Sequence, residues 1–272
     1  VPRKGFLMLD MHSHILPGVD DGPADLDTSL AMLRIAMDSG TTGIVATPHV
    51  IEGQWLPSWE EIVAGCARLY QALHIGEREA IAIYPGAEVA MNRDLLERLT
   101  GSGPYCINGG RYMLVELPAT HIPNYADEFL FTLQTRGITP IIAHPERHPA
   151  IGKDPHILLN WINRGILVQL NGTSLTGHMG DRVLRTAELL LANNMVHCLG
   201  SDAHGTRQRT PNLTAAGEKL EALQGNSGAT RLLTTNPQAI IAGQDVEVEE
   251  VHSIDYPKQR NTFFQYITGM FN

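Results

Sequence analysis

Asp10-Met11-His12-Ser13-His14 closes a short apolar run that begins near Phe6. The run is too short for a helix and rich in Leu and Met, the pattern of a parallel strand buried on both faces. Residues two apart on a strand point to the same side, so His12 and His14 can grip one ion together. Similar runs recur at residues 43–47, 80–84, 112–117, 139–143, 166–170 and 196–200. Each is followed by a polar turn.

Helical patterns fill the gaps. Leu26, Leu30, Leu33 and Met37 form one apolar stripe at spacings of three and four. Ser58 with Glu61 reads as a capping box ahead of Ile62, Cys66, Leu69 and Leu73. Asp154-Pro155 and Asn236-Pro237 each read as a cap followed by proline at the first helical position. Residues 181–194 form another expected helix, closed by Asn193-Asn194. Strands alternating with helices call for an α/β fold with a parallel sheet, joined by right-handed crossovers as a barrel or an open wound sheet. No glycine-rich phosphate loop follows the first strand, which weakens a nucleotide-binding reading. No linker or repeat divides the 272 residues, so one domain is expected, with a barrel over about 6–243 and a C-terminal extension over 244–272. That extension is polar and then aromatic (Phe263, Phe264, Tyr266, Phe271), and can pack on the barrel or on another subunit.

The formal net charge of -9 argues against a nucleic-acid partner, because phosphate backbones are met by Lys and Arg. Bound divalent cations would still reverse the local sign for a phosphorylated substrate. Cys66, Cys106 and Cys198 are scattered and unpaired by motif, which favours a reducing compartment over a disulfide framework. None is followed six residues later by Arg, so a cysteine-based phosphatase loop is absent. No apolar run reaches the length of a membrane span. A strand starting near Phe6 leaves no room for a signal peptide.

The informative feature is where the polar residues fall. His12 and His14 end the first run, His49 the second, Glu88 the third and Glu116 the fourth. His144 ends the fifth, and Asp202 and His204 the last. The carboxyl ends of parallel strands line one face, where active sites gather. Imidazole and carboxylate ligands without thiolate suit Zn, Mn or Fe. Eight such groups exceed the needs of one catalytic zinc, so a multinuclear site follows, with Glu88 able to bridge ions. Asp10 is expected to orient a ligand histidine. Arg147 and Arg209 fall on loops above the same face and can pair bidentately with phosphate, Arg207 competing for the second role. Arg111, before the fourth run, lies on the wrong face. His74, His121, His148, His156, His178, His197 and His252 stand at addresses without catalytic meaning.

These motifs resemble the polymerase-and-histidinol-phosphatase (PHP) superfamily: Asp10-Met11-His12-Ser13-His14, then Leu16-Pro17-Gly18-Val19-Asp20-Asp21-Gly22-Pro23. Within it, Ala46-Thr47-Pro48-His49, Gly86-Ala87-Glu88, Leu114-Val115-Glu116-Leu117-Pro118, Ala143-His144-Pro145-Glu146-Arg147 and Ser201-Asp202-Ala203-His204 stand in the order of one branch. That branch comprises the bacterial capsule and exopolysaccharide protein-tyrosine phosphatases, manganese-dependent partners of tyrosine autokinases. The resemblance runs from about residue 8 to 243. It implies a distorted (β/α)7 TIM-like barrel and three divalent ions, manganese first and iron or zinc as alternatives. His12, His14, Glu88 and Asp202 would hold the first ion, and Glu88, Glu116 and His144 the second. An aspartate of the Asp20-Asp21 pair, Asp21 preferred, would hold the third with His49 and His204. Arg147 and Arg209 would bind the phosphate while a bridging hydroxide attacks phosphorus. The implied partner is a tyrosine-phosphorylated protein, a bacterial tyrosine kinase tail, met in the cytoplasm without membrane insertion. An oligomer is compatible with all of this. The segment 51–58, with Trp55, belongs to a loop that varies in the family. The competing readings are a small-molecule phosphatase such as a histidinol-phosphate phosphatase, an amidohydrolase-like enzyme, and a binding module without turnover. No Lys stands at these strand ends, which counts against the second.

Overall fold

Short apolar runs become strands wherever both faces can be buried. The computed structural model describes residues 7–251, and in them the strands are β1 Met8–Ser13, β2 Thr41–Ala46, β3 His49–Val50, β4 Ala82–Pro85, β5 Glu88–Ala90, β6 Tyr112–Glu116, β7 Thr139–Ala143, β8 Leu167–Asn171 and β9 Cys198–Gly200. All paired neighbours are parallel, in the orders β1-β2-β4 and β3-β5-β6-β7-β8-β9. β2 and β3 are one strand broken at Thr47-Pro48, where proline has no N–H for a ladder. β4 and β5 break beside it at Gly86-Ala87. Pairing continues across both gaps, the Gly86 N–H donating to Ala46 O at 2.9 Å and the Glu88 N–H to Pro48 O at 3.0 Å. The last strand returns to the first: the Asp202 N–H donates to His12 O and the His14 N–H to Ala203 O, both at 2.8 Å. Counting each broken strand once, the barrel has the seven staves of the expected distorted (β/α)7 fold.

Boundaries differ from expectation by at most two residues. β1 extends to Ser13, and Phe6 lies outside the described residues. Ala80 ends a helix, Ile75–Ala80, with His74 at its cap, and β4 starts only at Ala82. The Ser58–Glu61 capping box is present, and Asp181–Ala192 closes on Asn193 as expected. Asn236-Pro237 does not start a helix. The chain is already helical there, and a π-turn over Arg231–Thr235 accommodates the proline. Asn236 instead sits buried, its Nδ2 donating to His197 O at 3.0 Å. Among the described residues no helix is long and apolar enough to cross a membrane.

Leu9, Met11, Val45, Leu114, Ile141, Leu167 and Cys198 fill the lumen, and Ile107, Tyr112 and Ile240 belong to the same cluster. A larger apolar shell packs helices against the outside, with Leu33, Ile62, Leu69, Phe129, Leu133, Leu190 and Leu220 fully or almost fully buried. Arg111 lies before β6, away from the carboxyl ends as expected, and pairs with Asp245. Tyr112 Oη donates to Gln244 O at 2.6 Å and Asn194 Nδ2 to Glu250 O at 3.1 Å, so residues 244–250 run along the barrel. His252 and the aromatic residues Phe263, Phe264, Tyr266 and Phe271 lie outside the described residues.

Barrel closure rests on a glycine. A Cβ on Gly200 would sit 2.5 Å from His12 Cβ and 2.8 Å from its backbone N, with Gln169 Nε2 at 3.0 Å. Gly200→Ala should therefore cost about 1–3 kcal/mol of stability, as overpacking does. It should also displace His12. Urea unfolding checks the first effect, and unchanged stability would show that β1 and β9 can part without loss.

A second expectation concerns acid. Burial, then the nearby Arg231, pushes the His197 imidazole down to about 4. Its Nδ1 accepts the Val168 N–H at 3.1 Å. The unfolded chain takes up this proton near pH 6.5 and the folded chain only near 4. Stability is thus complete above about 6.5 and falls as pH drops toward 4. His197→Gln should remove roughly 3 kcal/mol of that acid sensitivity. Unfolding midpoints at pH 7, 5.5 and 4.5 would show it, and an unchanged slope would assign the effect to other groups.

Candidate metal centre

Simple alternation in β1 cannot put Leu9 and Met11 in the lumen and also His12 and His14 over it. The register shows how it is done. Asp10 pairs with Ile44 but Ser13 with Ala46, so β1 carries one extra residue. Such a bulge re-aims the side chains that follow it. Met11 and His12 both face inward as a result, and Ser13 turns to β2, its Oγ donating to Val45 O at 2.7 Å.

The imidazole tautomers are fixed from behind. Gln169 Oε1 lies 3.0 Å from His12 Nδ1 and Asp20 Oδ2 lies 2.6 Å from His14 Nδ1. Both partners accept, so each Nδ1 carries the proton and each Nε2 presents a lone pair. Those two Nε2 atoms are 3.1 Å apart. Around them stand Glu88 Oε2, 3.3 Å from each, and Asp202 Oδ1, 3.6 Å from each. His144 Nε2 is 2.9 Å from Glu88 Oε1 and 3.9 Å from Glu116 Oε1. His49 Nδ1 is 3.0 Å from Glu88 Oε2 and 3.9 Å from Glu116 Oε2. On the other side Asp21 Oδ1 faces His204 Nε2 at 3.2 Å and His49 Nε2 at 3.6 Å.

All nine residues expected as ligands are thus brought together: His12, His14, Asp21, His49, Glu88, Glu116, His144, Asp202 and His204. They form overlapping groups whose donor atoms could hold ions: His12, His14 and Asp202; His12, Glu88 and His144; His49, Glu88 and Glu116; and His14, Asp21, His49 and His204. Glu88 Oε2, His49 Nδ1 and His204 Nε2 are buried without a hydrogen-bond partner. Buried acceptors left unpaired are costly. Divalent cations satisfy lone pairs and carboxylates together, so this donor set fits them.

Charge reinforces the point. Burial pulls the His14 imidazole down, but Asp20 and Glu88 outweigh it and lift it to about 10. His144 is lifted to about 9 against burial, chiefly by Glu88. Burial and His14 push His204 down to about 4. Burial raises the Asp20 carboxyl, yet hydrogen bonds from His14 and the His49 and Gly22 N–H groups hold it at about 2. Asp20 therefore orients, and Asp21 is the aspartate that faces His49 and His204.

Some residues play parts that the sequence reading gave to others. Asp10 does not touch a ligand imidazole. Its Oδ1 accepts the N–H groups of His12 and Ser201 at 3.2 and 2.8 Å, tying β1 to β9, while burial pushes its carboxyl up to about 6. Gln169 does the orienting, and Asn171 Nδ2 donates to Asp202 Oδ2 at 2.8 Å. Both were visible as polar residues in phase on an apolar strand, Leu167-Val168-Gln169-Leu170-Asn171. Trp55 stacks on His49, ring centroids 5.3 Å apart and planes 11° apart, so the variable loop reaches the centre.

Both expected arginines lie here. Arg147 Nη1 donates to Asp202 Oδ2 at 2.8 Å, and Arg209 pairs with Oδ1 and donates from Nε to Asp202 O at 3.2 Å. Arg207 is exposed and does not reach Asp202. His144, Asp202 and Arg209 adopt φ of 32°, 53° and 48°, a region L-residues rarely enter. Strain of this kind costs about 1–3 kcal/mol per residue and gathers at functional sites. All three cysteines are buried, and burial pushes the Cys66 and Cys106 thiols up to about 12 and 11. None can serve as a thiolate nucleophile.

A closed parallel barrel with histidines and carboxylates gathered at its carboxyl ends defines a metal-dependent phosphatase of the PHP type. Dihydropyrimidinase from Brevibacillus agri shares the fold alone, at 12% identity and a TM-score of 0.53. Residues 8–242 match the family described as capsular polysaccharide synthesis, CpsB/CapC, and the chain belongs to it. It is 34% identical over 202 residues to CapC of Staphylococcus aureus, across 74% of this chain and 79% of that one. It is 31% identical over 239 residues to the tyrosine-protein phosphatase YwqE of Bacillus subtilis, across 88% and 93%. Solved structures of YwqE and of CpsB from Streptococcus pneumoniae, described as unique metal-dependent tyrosine phosphatases, include a chain 30% identical with a TM-score of 0.82, covering 92% of this chain and 100% of that one.

If Asp20 fixes the His14 tautomer, Asp20→Asn should weaken binding of Mn about 10- to 100-fold while the fold persists. Metal titration followed calorimetrically, beside a circular dichroism spectrum, measures both. Unchanged affinity would reduce Asp20 to a loop tie.

Proposed function

We propose that this chain is a metal-dependent tyrosine-protein phosphatase of capsule synthesis that works through three divalent cations. The observation that carries the reading is the pair of Nε2 lone pairs, 3.1 Å apart and ringed by Glu88 and Asp202. His12, His14, Glu88 and Asp202 hold the first ion. Glu88 is shared with Glu116 and His144 for the second. Asp21, His49 and His204 hold the third. Nitrogen and oxygen donors without thiolate suit manganese, iron and zinc alike, and the resemblance to manganese-dependent phosphatases puts manganese first. The relatives named as tyrosine-protein phosphatases support phosphotyrosine in a protein as the substrate. The tail of a bacterial tyrosine kinase in the cytoplasm is the partner this reading favours.

When bound, divalent cations neutralise phosphoryl charge and lower the pKa of coordinated water to about 7. The protein's own groups supply the rest. Arg147 and Arg209 stand on either side of the Asp202 carboxylate. Each guanidinium has five donors, of which Asp202 engages a minority, so donors remain for the equatorial oxygens of a phosphoryl group. Gln169, Asn171 and Asp20 keep the ligands from turning, so little reorganisation is needed at the moment of reaction. The leaving phenol has a pKa near 10, low enough to depart without a dedicated acid.

Phosphate release from a phosphotyrosine peptide with Mn, with chelator, and with His144→Ala tests this. The expected result is turnover that is lost on chelation and falls at least about 100-fold in the variant. Faster turnover of histidinol phosphate than of the peptide would move the function to a small-molecule phosphatase. Silence on both substrates would sink the phosphatase reading.

A further inference from the structure

Arg207 is a cation that the centre does not use. It is exposed, and among the described residues it stands in no ion pair with an Asp or Glu side chain. It lines a cleft beside the centre whose walls include Gly172, Thr173, Thr176 and Arg209. Two contacts place this cleft against the phosphate site. Arg209, one wall, is bound to Asp202. Gly172, another wall, directly follows Asn171, whose side chain also holds Asp202. A phosphoryl group held by Arg209 would therefore have its attached chain beginning at the mouth of the cleft.

The charges on its walls point one way. Arg207 and Arg209 are its arginines, and Glu218, on the helix Thr214–Thr230, is its only carboxylate among the described residues. Elsewhere the chain is acidic, with a formal net charge of -9. A local excess of guanidinium on an acidic protein recruits acidic ligands and repels basic ones. Thr173 adds a hydroxyl that can bond to an extended main chain.

We infer that this cleft is a substrate-recognition subsite that takes the polypeptide flanking the phosphotyrosine, with Arg207 selecting an acidic side chain there. The inference rests on the phosphotyrosine reading above and deepens it from a residue to a sequence preference. Arg207 is a specificity residue. It does not touch the reacting atoms.

The test uses two phosphotyrosine peptides of equal length, identical except for Glu or Lys at the positions flanking the tyrosine, with Mn at low salt. Wild-type protein should favour the acidic peptide in kcat/KM by about 3- to 5-fold, the scale of one exposed charge pair. The preference should shrink as salt is raised. Arg207→Gln should abolish it, and Arg207→Glu should invert it. Both substitutions are at an exposed position, and the ratio of two peptides on one sample is insensitive to the fraction folded. Equal turnover of the two peptides by wild type would overturn the subsite and leave the phosphatase reading intact. So would a preference that survives both substitutions, because its source would lie elsewhere. Failure to hydrolyse either peptide or free phosphotyrosine would bring down both readings together.

Discussion

Two imidazole lone pairs 3.1 Å apart in a buried interior repel each other, and the upper half of this barrel is arranged to keep them there. Gln169 and Asp20 prevent either ring from escaping by changing tautomer or turning. The bulge in β1 aims both rings inward, and Gly200 lets β9 approach His12 without a clash. Asp10 ties the two strands together just below. The cost of such an arrangement is met only when positive charge enters it, as a proton or as a cation. His14 and His144, both lifted well above the ordinary imidazole range, show the first outcome. Overlapping donor groups built around a shared Glu88 point to the second.

The address of each functional residue was legible in the sequence because it depends on topology alone. Once parallel strands are assigned, their last residues must share a face, and His49, Glu88, Glu116, His144, Asp202 and His204 converge without knowledge of any distance. The β1 bulge was not legible. Alternation counts residues and cannot see an inserted one until the partner strand shows which residue is unpaired. Asp10 was misassigned for a related reason: its partners are backbone N–H groups of two strands, and backbone donors leave no mark in a sequence. Asn236-Pro237 reads as a helix start by local preference, yet packing keeps the chain helical before it and relieves the proline with a π-turn. The choice between Asp20 and Asp21, adjacent and chemically identical, needed coordinates. Here Asp20 faces His14 and two backbone N–H groups while Asp21 faces His49 and His204.

Asp202 joins the two halves of the chemistry. Its Oδ1 faces His12 and His14 and also Arg209, while its Oδ2 holds Arg147 and Asn171. The nearby imidazoles and Arg209 outweigh burial and keep the carboxyl well below its ordinary range, so it stays ionised. Any cation held between His12 and His14 would share Oδ1 with Arg209 and weaken that ion pair, since a carboxylate oxygen gives less to one partner as it gives more to another. Arg147, on the opposite oxygen and beside a neutral amide, would be less affected. The two arginines thus differ in degree: the bond of Arg209 to Oδ1 would depend more on what fills the histidine pair than that of Arg147 to Oδ2, while Arg209 keeps its Nε bond to Asp202 O.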